Sequence, residues 1–108
     1  MPVPEIEIEE FADRHAEGVR VVDVREPDEY ARGHVAGAVS VPLATVSDRA
    51  GAIGPGDGPL YLLCQAGGRS RKAAEHLADA GFDVVNVDGG TAGWIASGRD
   101  VVEGDQPT

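Results

Sequence analysis

Cys64 is the only cysteine in the chain, and its surroundings suit a nucleophile. It follows the apolar run Leu60-Tyr61-Leu62-Leu63 and opens the stretch Gln65-Ala66-Gly67-Gly68-Arg69-Ser70, which leads into helical sequence. A thiol at the end of a strand lies in the crevice where open α/β sheets bind ligands. Gly67 and Gly68 lack the Cβ that bars positive φ, so the backbone can curl and turn successive N–H groups inward. The helix that follows adds the positive end of its dipole, and Arg69 adds a full charge. Thiols in such settings titrate from about 3.5 to 7.5, so Cys64 is expected to be a thiolate nucleophile facing an anion cradle. A lone cysteine is more commonly a small buried hydrophobe. A structural cysteine, however, needs neither two glycines nor an arginine after it, whereas an anion-binding loop uses both.

The elements that must position this stretch can be read in chain order. Residues 5–8 alternate charged and apolar side chains, as an edge strand does, and 9–16 reads as a helix stopped near Gly18. Val21-Val22-Asp23-Val24 is a buried strand carrying one carboxylate near its end. Glu26-Pro27 opens a helix with Pro at its first position, running to Arg32 and closed by Gly33, and His34 follows in a loop. Val39-Ser40-Val41 is a short strand, 43–50 a weak helix or turn, and 51–59 a glycine- and proline-rich surface loop. The central strand is 60–63. A helix over 70–80 places Ala73, Leu77 and Ala80 on one face, with Gly81 as its C-terminal cap. Val84-Val85-Asn86-Val87 is a further buried strand, and Asp88-Gly89-Gly90 turns tightly after it. Thr91 is expected to cap a last short helix ending near Gly98. Residues 1–100 are expected to form one domain, with 101–108 as a flexible C-terminal tail.

Strands alternating with helices imply an α/β fold with a parallel sheet covered on both faces and right-handed crossovers. The loops after Asp23, Cys64 and Val87 then gather at one sheet edge, where the site should lie.

Composition narrows the partners. The 108 residues carry a formal net charge of −10, which argues against sequence-independent binding to nucleic acid or to an anionic membrane. Against that background Arg69, Arg71 and Lys72 form the one cluster of cations, beside the one thiol. This arrangement suits a small anionic substrate or an acidic segment of a partner, although Arg71 and Lys72 also read as a solvated helix face. No stretch approaches the roughly 18 apolar residues of a membrane span. The acidic N-terminus lacks the basic and apolar regions of a secretion signal, so a cytoplasmic location is expected. A single cysteine excludes a disulfide scaffold and a C-x-x-C pair, so a sulfur-loaded Cys64 must pass its cargo to another molecule. His15, His34 and His76 show no ligand spacing with Cys64, and no metal or cofactor is implied.

Four segments together resemble the rhodanese family over nearly the whole chain. They are Val22-Asp23-Val24-Arg25 with Glu29, Gly33-His34-Val35-Ala36-Gly37-Ala38, Cys64-Gln65-Ala66-Gly67-Gly68-Arg69-Ser70, and Gly89-Gly90-Thr91-Ala92-Gly93-Trp94. The resemblance implies a five-stranded parallel sheet flanked by helices and a sulfurtransferase whose cysteine carries sulfane sulfur as a persulfide. Cys64 matches the persulfide-bearing residue, and Arg69 matches a position that binds the anionic donor. Gln65, Ala66, Gly67, Gly68 and Ser70 match the loop that holds the sulfur. Asp23, Arg25, Glu29 and His34 match structural positions near the site. Physical reasoning agrees for Asp23 and Arg25, because a carboxylate at a strand end with Arg two residues on can form a buried ion pair. His34 reads as an anchor and Trp94 as packing.

The donor implied is a small sulfur anion such as thiosulfate, and the acceptor is cyanide or a thiol, including a protein thiol. The phosphatases that share this fold place Arg six positions after Cys; here Ser70 holds that place and Arg69 comes one earlier, a smaller loop that favours one sulfur over a phosphate. An alternative of a different class is a persulfide relay or docking module acting on a dedicated protein partner.

Overall fold

The computed structural model describes residues 3–54, 56 and 58–108. Its elements run β1 (Glu5–Ile6), α1 (Ile8–Ala16), β2 (Arg20–Asp23), α2 (Pro27–Arg32), β3 (Val39–Ser40), a 3-10 turn (Leu43–Thr45), α3 (Val46–Ile53), β4 (Leu60–Leu63), α4 (Gly68–Asp79), β5 (Val84–Val87) and α5 (Gly90–Ala96). The five strands form one sheet in the order β1-β5-β4-β2-β3, and every pairing is parallel. The α/β class expected from the sequence pattern and the five-stranded parallel sheet implied by the resemblance are thus present. From β4 the chain continues toward β5, and from β2 toward β3 on the other side. The crevice between β2 and β4 is therefore a switch point, and Cys64 follows β4 directly into it.

Strand alternation divides the core into two layers. Leu60, Leu62 and Cys64 face one side with Val22, Val24, Ala73, Ala74 and Leu77, and so pack against α4. Tyr61 and Leu63 face the other side with Phe11, Val21, Val87 and Trp94, under α1 and α5. Leu62, Leu63 and Leu77 are wholly buried, each contributing about 2 kcal/mol by removal from water. Because Cys64 continues the face of Leu60 and Leu62, its sulfur is aimed at the start of α4.

Several boundaries differ from expectation for local reasons. Strand β1 stops at Ile6, because Ile8 turns inward as the first residue of α1. The weak helix at 43–50 is a 3-10 turn followed by α3, which continues through Ile53, so Gly51 and Ala52 are helical and the loop begins at Gly54. Arg20 holds that helix end, donating from Nη2 to the carbonyl oxygens of Ile53 and Gly54 at 2.6 and 2.9 Å. Positions 55 and 57 of the expected loop lie outside the described residues. Helix α4 begins at Gly68, two residues earlier than the sequence suggests. It ends as expected, with Gly81 N–H bonded to Ala78 O and Phe82 N–H to Leu77 O, the paired bonds of a glycine-terminated helix.

Thr91 does not cap α5. Gly89 does, in a left-handed conformation, while the Thr91 hydroxyl is buried without a hydrogen-bond partner. The entry to α5 needs glycine for contact as well as for φ. A Cβ on Gly90 would lie 2.4 Å from the Cys64 carbonyl oxygen, which accepts the Thr91 N–H at 2.8 Å.

Residues 101–108, expected to fray, carry backbone bonds to the end of α2 and the loop after it. His34 and Val102 exchange N–H···O bonds of 2.9 and 2.8 Å, Gly104 N–H reaches Ala31 O, and Gly37 N–H reaches Pro107 O. The partners are main-chain groups, so side-chain types gave no sign of them. His34 is buried, with Nδ1 and Nε2 each 2.8 Å from a carbonyl oxygen, of Tyr30 and Gln106, and its ring stacks on Tyr30. Trp94 packs edge-on to Phe11 and His15 and donates to Asp100 O at 2.8 Å.

Candidate active site

Cys64 sits at the bottom of the turn between β4 and α4, with only 1% of its surface exposed. Gly67 directs its N–H at Sγ from 3.0 Å, a geometry made possible by its φ of +123°, which L side chains avoid. The Ser70 hydroxyl oxygen lies 3.3 Å from Sγ. Burial pushes the Cys64 thiol up, but hydrogen bonds from the Ser70 hydroxyl and from the main chain of Ser70, Gly67 and Ala66 outweigh it, and the net displacement is downward. The Gly67 N–H thus faces the sulfur with main-chain groups of Ala66 and Ser70 beside it, and Gly68 supplies the first residue of α4 behind them.

The charged groups arrange themselves in pairs around this turn. Asp23, at the end of β2, holds Arg25 through two oxygens at 2.8 to 3.0 Å, with both side chains buried. Arg25 also donates to Gly33 O at 2.8 Å and approaches Gln65 Oε1 at 3.4 Å. The buried ion pair anticipated from spacing thus ties β2, the end of α2 and the cysteine loop together.

Arg69 is not an open cation. Its guanidinium grips both oxygens of Glu29 at 2.7 and 2.9 Å, and Arg69 holds the Glu29 carboxyl down to about 2 despite the upward push of burial. Glu29 also accepts the Glu26 N–H at 3.1 Å as part of a capping box that starts α2. Arg71 pairs with Glu5 at 2.6 Å. The basic cluster expected beside the thiol is accordingly neutralised at Arg69 and Arg71, by acids distant in sequence.

A cavity of about 370 Å³ opens beside the loop, lined by Arg25, Glu29, Arg32, Gly33, Gln65 and Ile95. Ile95 is half exposed at its rim. Arg32 faces solvent there, its contact with Asp28 stretched to 3.5 Å.

Sequence reasoning passed over Asn86. In sequence it is one residue of a buried strand; in the fold it is wholly buried and its side-chain oxygen lies 2.6 Å from Ser70 Oγ. An amide inside Val-Val-x-Val was itself the signal, because a buried polar side chain must find partners. Among the described residues no cluster of three or more His, Cys, Asp or Glu is placed to hold a metal ion.

Residues 7–97 match the sequence model of the Rhodanese-like domain. The chain belongs to that family. This rhodanese-like domain is 39% identical over 87 residues to the thiosulfate sulfurtransferase GlpE of Pseudomonas putida, a match covering 78% of the chain and 76% of the relative. It is 37% identical over 95 residues to the Bacillus subtilis protein YrkF, a match covering 85% of the chain but 51% of the relative. The chain therefore spans about half the length of YrkF. A crystal structure of a rhodanese-related protein from Thermoplasma volcanium superposes with a TM-score of 0.84 at 29% identity, covering 92% of this chain and 97% of that one.

Proposed function

We propose that this rhodanese-like domain is a sulfurtransferase that carries sulfane sulfur as a persulfide on Cys64. The observation that carries the reading is the Gly67 N–H aimed at Sγ from 3.0 Å within a turn of inward amides. Such a turn stabilises one anionic sulfur without a general base. In the first half-reaction the Cys64 thiolate attacks the outer sulfur of a donor such as thiosulfate. The bond between that sulfur and the sulfonate breaks, and sulfite leaves with the electron pair, its charge met by Arg69 and the loop amides of Gln65, Ala66, Gly67, Gly68 and Ser70. In the second, cyanide or a thiol attacks the terminal sulfur, and Sγ departs as thiolate. Two covalent half-reactions predict ping-pong kinetics. The likeness to GlpE, a thiosulfate sulfurtransferase, supports this donor class.

The test is intact-protein mass before and after incubation with thiosulfate, then after a reductant. A gain of about 32 Da that the reductant reverses and Cys64→Ser never acquires is the expected result. A folded, reduced sample that gains nothing from any sulfane donor overturns the assignment. A second reading, a persulfide relay to a dedicated protein partner, is favoured by the half-exposed Ile95 at the cavity rim. Turnover with small thiols alone supports the first reading, and turnover only after a partner is added supports the second.

A further inference from the structure

Beneath the cysteine turn runs a chain of polar contacts that the sulfur chemistry above does not use. Ser70 Oγ lies 3.3 Å from Cys64 Sγ, 3.2 Å from Gly67 O and 2.6 Å from Asn86 Oδ1. Asn86 Nδ2 in turn lies 2.7 Å from Glu5 Oε2 and 3.2 Å from Gly67 O. Glu5 Oε2 also accepts from Arg71 Nε and Nη2, at 3.0 and 2.6 Å.

Hydrogen-bond chemistry fixes the orientation of the Asn86 amide. One of its ends faces a carboxylate and a carbonyl, which only accept, so that end must be the NH2 group. The other end, facing Ser70, is then the carbonyl oxygen. Ser70 has a single hydroxyl proton and three acceptors around it. Gly67 O is already served by Arg71 N–H at 3.1 Å and by Asn86. The choice that remains is between Asn86 Oδ1 and the sulfur.

We propose that Asn86, held in orientation by Glu5, is a positioning residue that competes with Cys64 for the Ser70 hydroxyl proton and so sets how readily the thiolate forms. When Cys64 is a neutral thiol, Ser70 donates to Asn86 and presents a lone pair to the S–H. Ionisation draws the hydroxyl toward Sγ, which leaves Asn86 Oδ1 facing oxygen at 2.6 Å with no proton between. The competition works against the downward pull of the loop amides and keeps the thiol nearer the ambient pH, where an attacking thiol is most effective. On the persulfide reading, on which this further consequence rests, it also favours the loaded state, because a sulfur-bonded Sγ is neutral and the proton returns to Asn86.

The charged groups around Cys64 are the Arg69–Glu29 and Arg25–Asp23 pairs, Arg71 with Glu5, and Asp88, whose side chain borders Gly67. Asn86→Leu keeps the branched shape and changes no formal charge, but removes the Nδ2 hydrogen bond to Glu5; a Ser70→Ala background separates that loss from the effect on the hydroxyl.

The experiment is the pH profile of Cys64 alkylation by iodoacetamide, followed by mass, which needs no sulfur transfer and so fails independently of the proposed activity. Asn86→Leu should lower the midpoint by about one pH unit, the scale of one hydrogen bond to a charged acceptor. Below the midpoint its alkylation should rise about threefold rather than tenfold, since nucleophilicity falls with basicity. In a Ser70→Ala background the same substitution should shift nothing. Glu5→Gln replaces the charged acceptor of Asn86 Nδ2 by a neutral one, which loosens the hold on the amide while Gly67 O still faces it, and removes one charge; only the charge effect should survive in Ser70→Ala. This variant lies at the partly exposed sheet edge and serves if Asn86→Leu does not fold. A midpoint that stays or rises in Asn86→Leu, or Glu5→Gln shifts that are equal with and without the Ser70 hydroxyl, overturns the proposal.

Discussion

Arg69 shows how far a single contact can redirect a residue's chemistry. From its place five residues after Cys64 it is expected to meet an anionic donor, yet its guanidinium is occupied by both oxygens of Glu29. A donor dianion must therefore compete with a resident carboxylate. Glu29→Gln retains an oxygen for the Glu26 N–H and removes the competing charge. Its KM for thiosulfate should fall about fivefold with kcat little changed, since a partly exposed pair of this kind is worth about 1 kcal/mol. Steady-state kinetics with thiosulfate and a thiol acceptor would measure this, and an unchanged or higher KM would remove Arg69 from donor binding. Cys64, Gly67 and the Asp23–Arg25 pair were legible in the sequence because their partners lie within three residues. Glu29 and Arg69 are forty residues apart, so only the folded chain shows that one silences the other.

At the scale of elements, the same contact is a tie between α2 and α4 across the crevice mouth. The Glu29 carboxyl is lowered from its ordinary 4.5 to about 2. A depressed acid contributes stability that is complete above its unfolded pKa and is lost as pH falls through the folded one. The tie should thus be intact at neutral pH and disappear between about pH 4.5 and pH 2. Both partners are partly exposed, Arg69 38% and Glu29 22%, so screening reduces the contribution to about 1 kcal/mol. Denaturant unfolding of the native chain and Glu29→Gln should differ by that amount at neutral pH and converge toward pH 2; a gap that persists there would mean the carboxylate is not its source. Element types were legible from period and punctuation, because β-branched runs and glycine stops act locally. The errors fell where a tertiary contact overrode the local signal. Ile8 joined a helix to fill the layer beside Phe11, and Gly89 rather than Thr91 caps α5, whose first residue, Gly90, enters against the Cys64 carbonyl.

Across the whole molecule, the segment after α5 connects the far end of the chain to the mouth of the crevice. Val101 packs against Gly33, where an added Cβ would come within 2.9 Å of it, and Gly33 O receives Arg25 Nη2. Arg25 leads to Asp23 on β2 and to Gln65 in the cysteine loop. Residues 101–108 thereby brace the loop from which Arg25 is held, although their polar composition reads as a free tail. Ending the chain at Asp100 removes the bonds at His34, Gly37 and Ala31. About 2 kcal/mol of stability should go with them, a net of roughly 0.5 to 1 kcal/mol per bond less the entropy of ordering the segment. Native-state hydrogen exchange gives the sharper reading. The Gly37 amide, which donates to Pro107 O, should be protected in the intact chain and exchange freely in the truncated one, whereas the Leu62 amide in the central strand should stay slow in both. A Gly37 amide that exchanges at the open-chain rate in the intact protein would return 101–108 to the status of a frayed tail. Arg25 would then be positioned by Asp23 and Gly33 O without a brace from the C-terminal segment.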